Sequence, residues 1–123
     1  MTFLAISIGA VAGANARYII GGWIADRWGT SFPVGTLVIN VTGSLLIGLI
    51  LTVVTERVIA PAWVRPLLAI GFLGSYTTFS TFSYETLALA RDGSWLAAGG
   101  NVVLSVVASL VGVYLGMLLA RAA

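Results

Sequence analysis

The stretch GFLGSYTTFSTF, Gly71 to Phe82, decides how this chain folds. Half of its residues carry hydroxyls, two are glycines, three are phenylalanines and none is charged. Its flanks are apolar. Gly71, Gly74 and the Ser/Thr run make a poor helix interior by propensity. A broken helix at membrane depth is tolerated only where the freed backbone is buried in protein or lines a cavity. The stretch therefore predicts a break inside an otherwise helical segment.

The rest of the chain makes membrane depth the right frame. Of its 123 residues, 59% are hydrophobic and 8% charged. A soluble domain carries about a quarter charged residues, and a chain this apolar cannot cover a water-facing surface. The fold class is all-α integral membrane, in one compact domain. Cysteine and histidine are both absent, which removes thiolate chemistry, the commonest general base and the commonest transition-metal ligand. No nucleophile–base pair is left to suggest an enzyme. Six arginines against four acids are scattered singly, so nothing suggests nucleic acid as a partner.

Four segments reach the roughly 20 residues that a spanning helix needs: about 3–24, 33–55, 63–90 and 94–120. The first resembles a signal-peptide core, but no basic residue precedes it and the apolar run continues past Arg17, so it reads as a retained helix. Four spans put both termini on one side with Arg57, Arg65 and Arg121. Arg27 and Arg91 lie on the other, with Arg17 toward that end. The positive-inside rule gives almost no orientation. Either the tally is noise in a chain with few arginines, or copies insert both ways and pair as opposed subunits.

Helical periodicity then groups the polar and small residues. Ala5, Gly9, Gly13, Arg17 and Gly21 share one stripe of the first segment, suited to close helix approach. Arg17 must face protein or water. It reads as an anion lure in a vestibule or, more ordinarily, as a structural arginine holding carbonyls at a helix end. In the second segment Thr36, Asn40, Gly43, Ser44 and Gly48 form a polar, small face, and Leu37, Val41 and Leu45 form a face suited to lipid. Asn40 either pairs helices or lines a pathway. Asn101, Ser105, Ser109, Gly112 and Gly116 repeat the scheme in the fourth segment; the serines either bond back to their own helix or make a ladder of hydroxyls. Phe79 and Phe82, three apart, share a face. They are packing residues, or they turn the electron-poor edges of their rings toward an anion.

Three motifs in order resemble one family. GAVAGANARY (Gly9–Tyr18), PVGTLVINVTGS (Pro33–Ser44) and GFLGSYTTFSTFSYET (Gly71–Thr86) are similar to the Fluc, or CrcB, fluoride channels across essentially the whole chain. The resemblance implies an antiparallel, dual-topology homodimer in the bacterial plasma membrane, with two fluoride pathways built from both subunits. It implies that Asn40 is the pore residue of the second helix, that Phe79 and Phe82 present ring edges to the ions, and that Ser80 and Thr81 add hydroxyls beside them. Ser105 and Ser109 would form the polar track of the fourth helix, with the part of Asn101 open. The unwound turn would be Gly74–Thr77, and its Gly74 and Thr77 carbonyls from both subunits would hold a central structural sodium ion. Arg17, Thr36 and Glu85 would lie in a vestibule or auxiliary position; Glu85 resembles a glutamate of the family near the pore.

The resemblance implies passive export of fluoride, a small, strongly hydrated ion that accepts hydrogen bonds and donates none. Donors must replace water, and weak repeated sites let the ion leave again. Two other readings compete. A small dual-topology drug/proton antiporter needs a carboxylate inside the membrane, and the first segment has none before Asp26 while Glu85 lies late in the third. A non-transporting assembly subunit needs only packing motifs and leaves the hydroxyl–Phe run unexplained.

Overall fold

A computed structural model describes residues 1–57 and 59–123 of the chain. Helix α1 spans Thr2–Trp28 and α2 spans Val34–Thr52, continuing as a π-helical stretch, Val53–Arg57. Helix α3 covers 66–76: a π-helical stretch, Pro66–Leu73, and then one α-helical turn, Gly74–Tyr76. Helix α4 is Phe79–Arg91 and α5 is Trp95–Ala122. Three helical spans, Thr2–Trp28, Val34–Arg57 and Trp95–Ala122, are long and apolar enough to cross a membrane. Helices α3 and α4 follow one another with Thr77 and Thr78 between them.

Local chemistry sets the ends. Gly29 adopts φ 75° beyond α1, where its N–H still bonds Ala25 O at 2.8 Å, and Gly93 at φ 83° turns α4 into α5. Both are left-handed conformations that favour glycine. Pro66 opens α3, where a missing N–H costs nothing.

In lipid, hydrophobicity does not drive helices together, so close backbone approach must. Gly9 and Gly13 lay α1 on α3: a Cβ at Gly9 would strike Leu67 O and Phe72 N, and one at Gly13 would strike Phe72 O. Helices α2 and α5 mesh through reciprocal glycines, Gly48 against Val113 O, Gly112 against Val41 O and Gly116 against Leu45 O. This corrects the lipid face expected for Leu37, Val41 and Leu45. All three are half-buried, because the glycine stripe of α5 needs a ridge to receive it and that side of α2 supplies one.

A small core of Ile39, Leu73 and Tyr76 sits where α2 meets the end of α3. The Tyr76 ring stacks on Phe72, with centroids 5.9 Å apart, and its hydroxyl lies 2.9 Å from Thr42 Oγ1. At the ends of α2 and α5, Arg121 forks onto both oxygens of Glu56 at 3.0 and 2.8 Å.

Candidate functional site

The chain leaves helical geometry at Thr77 (φ −81°, ψ 157°) and Thr78 (φ −151°, ψ 114°). The break thus falls at the end of the expected stretch, and Gly74–Tyr76 remains a helical turn. The reason is that this turn is clamped: Tyr76 is buried against α2, and Thr77 Oγ1 donates to Leu73 O at 2.9 Å.

Asn40 holds the break open. Its Nδ2 donates to Thr78 O at 2.9 Å and its Oδ1 accepts from Thr78 N at 2.8 Å. Thr78 then starts the next helix as its N-cap, its Oγ1 accepting from Thr81 N at 3.2 Å and donating to Thr81 Oγ1 at 3.0 Å. These two diversions have a consequence further back. Thr78 N–H and Thr81 N–H are the amides that would close a helical ladder onto the carbonyls of Gly74 and Thr77. Both are engaged elsewhere, so those two carbonyls are released from that ladder.

On one side of the break lies an inner groove of about 340 Å³. It brings together Asn40, Gly74, Thr77, Phe79, Phe82, Ser105 and Ser109, with Ser44 of α2 beside them. The rings of Phe79 and Phe82 are 5.4 Å apart and tilted by 49°. Phe82 is buried, whereas Phe79 is 77% exposed in a single chain. No ionisable side chain lines the groove among the described residues.

A bonded relay runs behind Phe82. Ser105 Oγ donates to Asn101 Oδ1 at 3.2 Å, Asn101 Nδ2 donates to Thr86 Oγ1 at 2.8 Å, and Thr86 Oγ1 donates to Phe82 O at 2.7 Å. Asn101, 1% exposed, is thereby a strut between α4 and α5. It fixes the height of Ser105 on the groove wall relative to the Phe82 ring.

On the other side of the break a wide vestibule of about 1290 Å³ opens. Its lining includes Arg17, Thr36, Thr81 and Glu85, with Asp26 and Asp92 nearer the mouth end of their helices. Thr36 Oγ1 donates to Glu85 Oε1 at 2.7 Å, linking α2 to α4. Arg17 sits in the middle of α1, not at a helix end, and makes no hydrogen bond to a backbone carbonyl among the described residues. Helix α1 runs on past Arg17 to Trp28, which puts Arg17 on the vestibule wall and not at a helix end.

Two of the expected hydroxyls do not line the inner groove. Thr81 faces the vestibule, and Ser80 is exposed and lines neither cavity, its Oγ lying 3.4 Å from Thr78 Oγ1. Two polar residues of the inner-groove lining were not singled out as sites by sequence, Thr78 and Ser44. The signal for Thr78 was present: a threonine three residues before Thr81, at the start of an amphipathic run, is an N-cap pattern.

Residues 4–117 match the family model described as CrcB-like protein, Camphor Resistance (CrcB). The chain is 47% identical over 121 residues to the fluoride-specific ion channel FluC of Roseiflexus sp. (strain RS-1), covering 98% of each chain. It is 50% identical over 118 residues to the FluC of Chloroflexus aurantiacus (strain ATCC 29366 / DSM 635 / J-10-fl), covering 96% of this chain and 94% of the relative. A further similar protein is the FluC of Geobacter metallireducens (strain ATCC 53774 / DSM 7210 / GS-15), 45% identical over 98% of each chain.

Proposed function

This chain belongs to the CrcB family of fluoride channels, and from that premise we propose that it is a passive, fluoride-selective channel of the cell membrane, exporting the ion from the cytoplasm. It is not an enzyme. The observation that carries the reading is the inner groove, an uncharged passage lined by two phenyl rings and by the hydroxyls of Ser44, Ser105 and Ser109.

Where fluoride sheds water along this groove, each lost water must be replaced by a donor. Asn40 spends one Nδ2 proton on Thr78 O and keeps the second. Ser44 and Ser109 have no protein partner for their hydroxyls among the described residues. Phenyl edges add weak positive potential without a fixed charge. Such sites bind enough to admit the ion and release it again.

The working unit in this reading is an antiparallel homodimer with two pores. The near-balanced arginines permit both insertions. The ring of Phe79, exposed in a single chain, gives α4 an apolar surface for a second copy to cover. A central structural sodium ion fits the donor set: the carbonyls of Gly74 and Thr77 are those released from the ladder, and hard cations take oxygen ligands. One chain offers two such carbonyls, so a second copy is needed to complete the shell. When bound, the ion would supply charge compensation for the clustered carbonyl dipoles and would not be transported.

The test is an efflux assay. Purified protein in liposomes loaded with potassium fluoride should release fluoride rapidly on adding a potassium ionophore, and chloride hardly at all. Proton-coupled movement of a lipophilic cation, with no fluoride efflux, would favour the antiporter instead.

A further inference from the structure

The vestibule and the inner groove share one lining residue among those described, Thr78. It is buried at 8% exposure, and its backbone is pinned from both sides by Asn40. Its position between the two spaces is therefore fixed, while its hydroxyl proton can rotate. We infer that the Thr78 hydroxyl is the donor that passes fluoride from the vestibule to the inner groove, an inference that rests on the fluoride-channel reading.

The hydrogen-bond pattern supplies the mechanism. Thr78 Oγ1 accepts from Thr81 N and donates its single proton to Thr81 Oγ1. Because Thr81 Oγ1 is an acceptor in that bond, its own proton is left for the vestibule, which it lines. An anion arriving there meets the Thr81 donor first. Rotation about the Thr78 Cβ–Oγ bond then withdraws the proton from Thr81 and aims it into the groove. The cap bond from Thr81 N is kept throughout, since it uses a lone pair of Thr78 Oγ1 rather than the proton. No heavy atom of the pinned backbone has to move, so the donor changes sides by a hydroxyl rotation alone. The next donors are at hand in the groove, on Asn40, Ser44 and Ser109.

The experiment compares fluoride efflux from liposomes carrying the wild-type chain and three variants, with helicity measured on each. Thr78→Ser keeps both the donor and the cap, and should conduct like wild type. Thr78→Val keeps the shape but removes donor and cap. Thr78→Gly removes the donor and costs little capping, so it separates the two roles of the hydroxyl. Losing one hydrogen bond to a charged group should lower flux roughly tenfold to a hundredfold in both the Val and Gly variants. A folded Gly variant conducting like wild type overturns the inference and leaves Thr78 as a helix cap only. Loss of flux in Thr78→Ser as severe as in Thr78→Val overturns it too, because shape rather than the donor would then matter. Absence of fluoride efflux from the wild type would instead remove the channel reading on which the inference stands.

Discussion

Asn40 grips Thr78 with both edges of its amide, donating to the carbonyl at 2.9 Å and accepting from the amide at 2.8 Å. An amide side chain mimics a peptide unit, so α2 supplies what a continuous helix would have supplied to the backbone at the break. Replacing Asn40 with Ala leaves a buried N–H and a buried C=O without partners. Each such group costs about 1–3 kcal/mol, so Asn40→Ala should lower stability by roughly 2–6 kcal/mol. Thermal unfolding in detergent measures this. Asn40→Asp keeps the acceptor for Thr78 N–H but loses the donor and adds a charge on the groove wall. It should abolish fluoride flux even where the protein folds.

The sequence made the small-residue stripes and the broken helix legible for a physical reason. Membrane depth penalises polar groups and favours close backbone packing, so Gly9, Gly13, Asn40 and the Ser/Thr run stand out against an apolar background. That Asn40, Phe79, Phe82, Ser105 and Ser109 line one groove matches what the family resemblance implied; helical period alone put each on a face of its own helix and left open which faces meet. Three features were beyond periodicity. The unwound peptides are Thr77 and Thr78 rather than the glycines, because Asn40 and the Thr78 cap choose the place. Thr81 faces the vestibule because the first turn of α4 begins after Thr78 and rotates it away from Phe82. Val41 and Leu45 meet α5 because a stripe marks a contact face without naming its partner.

Glycines on α5 should divide into two classes by what surrounds them. A side chain at Gly116 would run into Leu45 O, on the backbone of α2. Gly116→Val forces the two helices apart and should cost about 1–3 kcal/mol or more. Gly99 and Gly100 have open space where a Cβ would stand, so Ala at either should be neutral or stabilising by up to about 1 kcal/mol. Unfolding temperatures of the three variants, compared in one detergent, check the ordering.

Glu85 lies with Asp26, Asp92 and Arg17 on the vestibule lining, and Arg27 sits over the ring of Trp23 there. Each carboxylate opposes an approaching anion and each guanidinium favours it. Glu85→Gln keeps an oxygen for Thr36 to donate to and removes one negative charge. Fluoride flux should rise about twofold to fivefold at low ionic strength, and the gain should shrink as added salt screens the vestibule. Arg17→Gln should move flux the opposite way under the same conditions. A salt-independent change in either variant would point to a contact role instead of a field effect.

Phe82 is the sharper test of the rings, because it is buried at 8% exposure and closes the groove wall beside Ser105. Phe82→Ile is an apolar exchange with a modest loss of volume, so its cost to folding should be small, about 1–2 kcal/mol. It removes the electron-poor ring edge while leaving the donors on Asn40, Ser44 and Ser109 in place. If the edge stabilises the partly dehydrated ion, fluoride efflux should fall tenfold or more, about the effect of losing 1.4 kcal/mol of stabilisation along the path. Phe82→Tyr keeps a ring edge and should retain more flux than the Ile variant, provided its added hydroxyl is accommodated. Circular dichroism and size-exclusion elution identify any variant that fails to fold. A folded Ile variant with wild-type efflux would leave the hydroxyl donors, and not the rings, as the groups that carry fluoride through the groove.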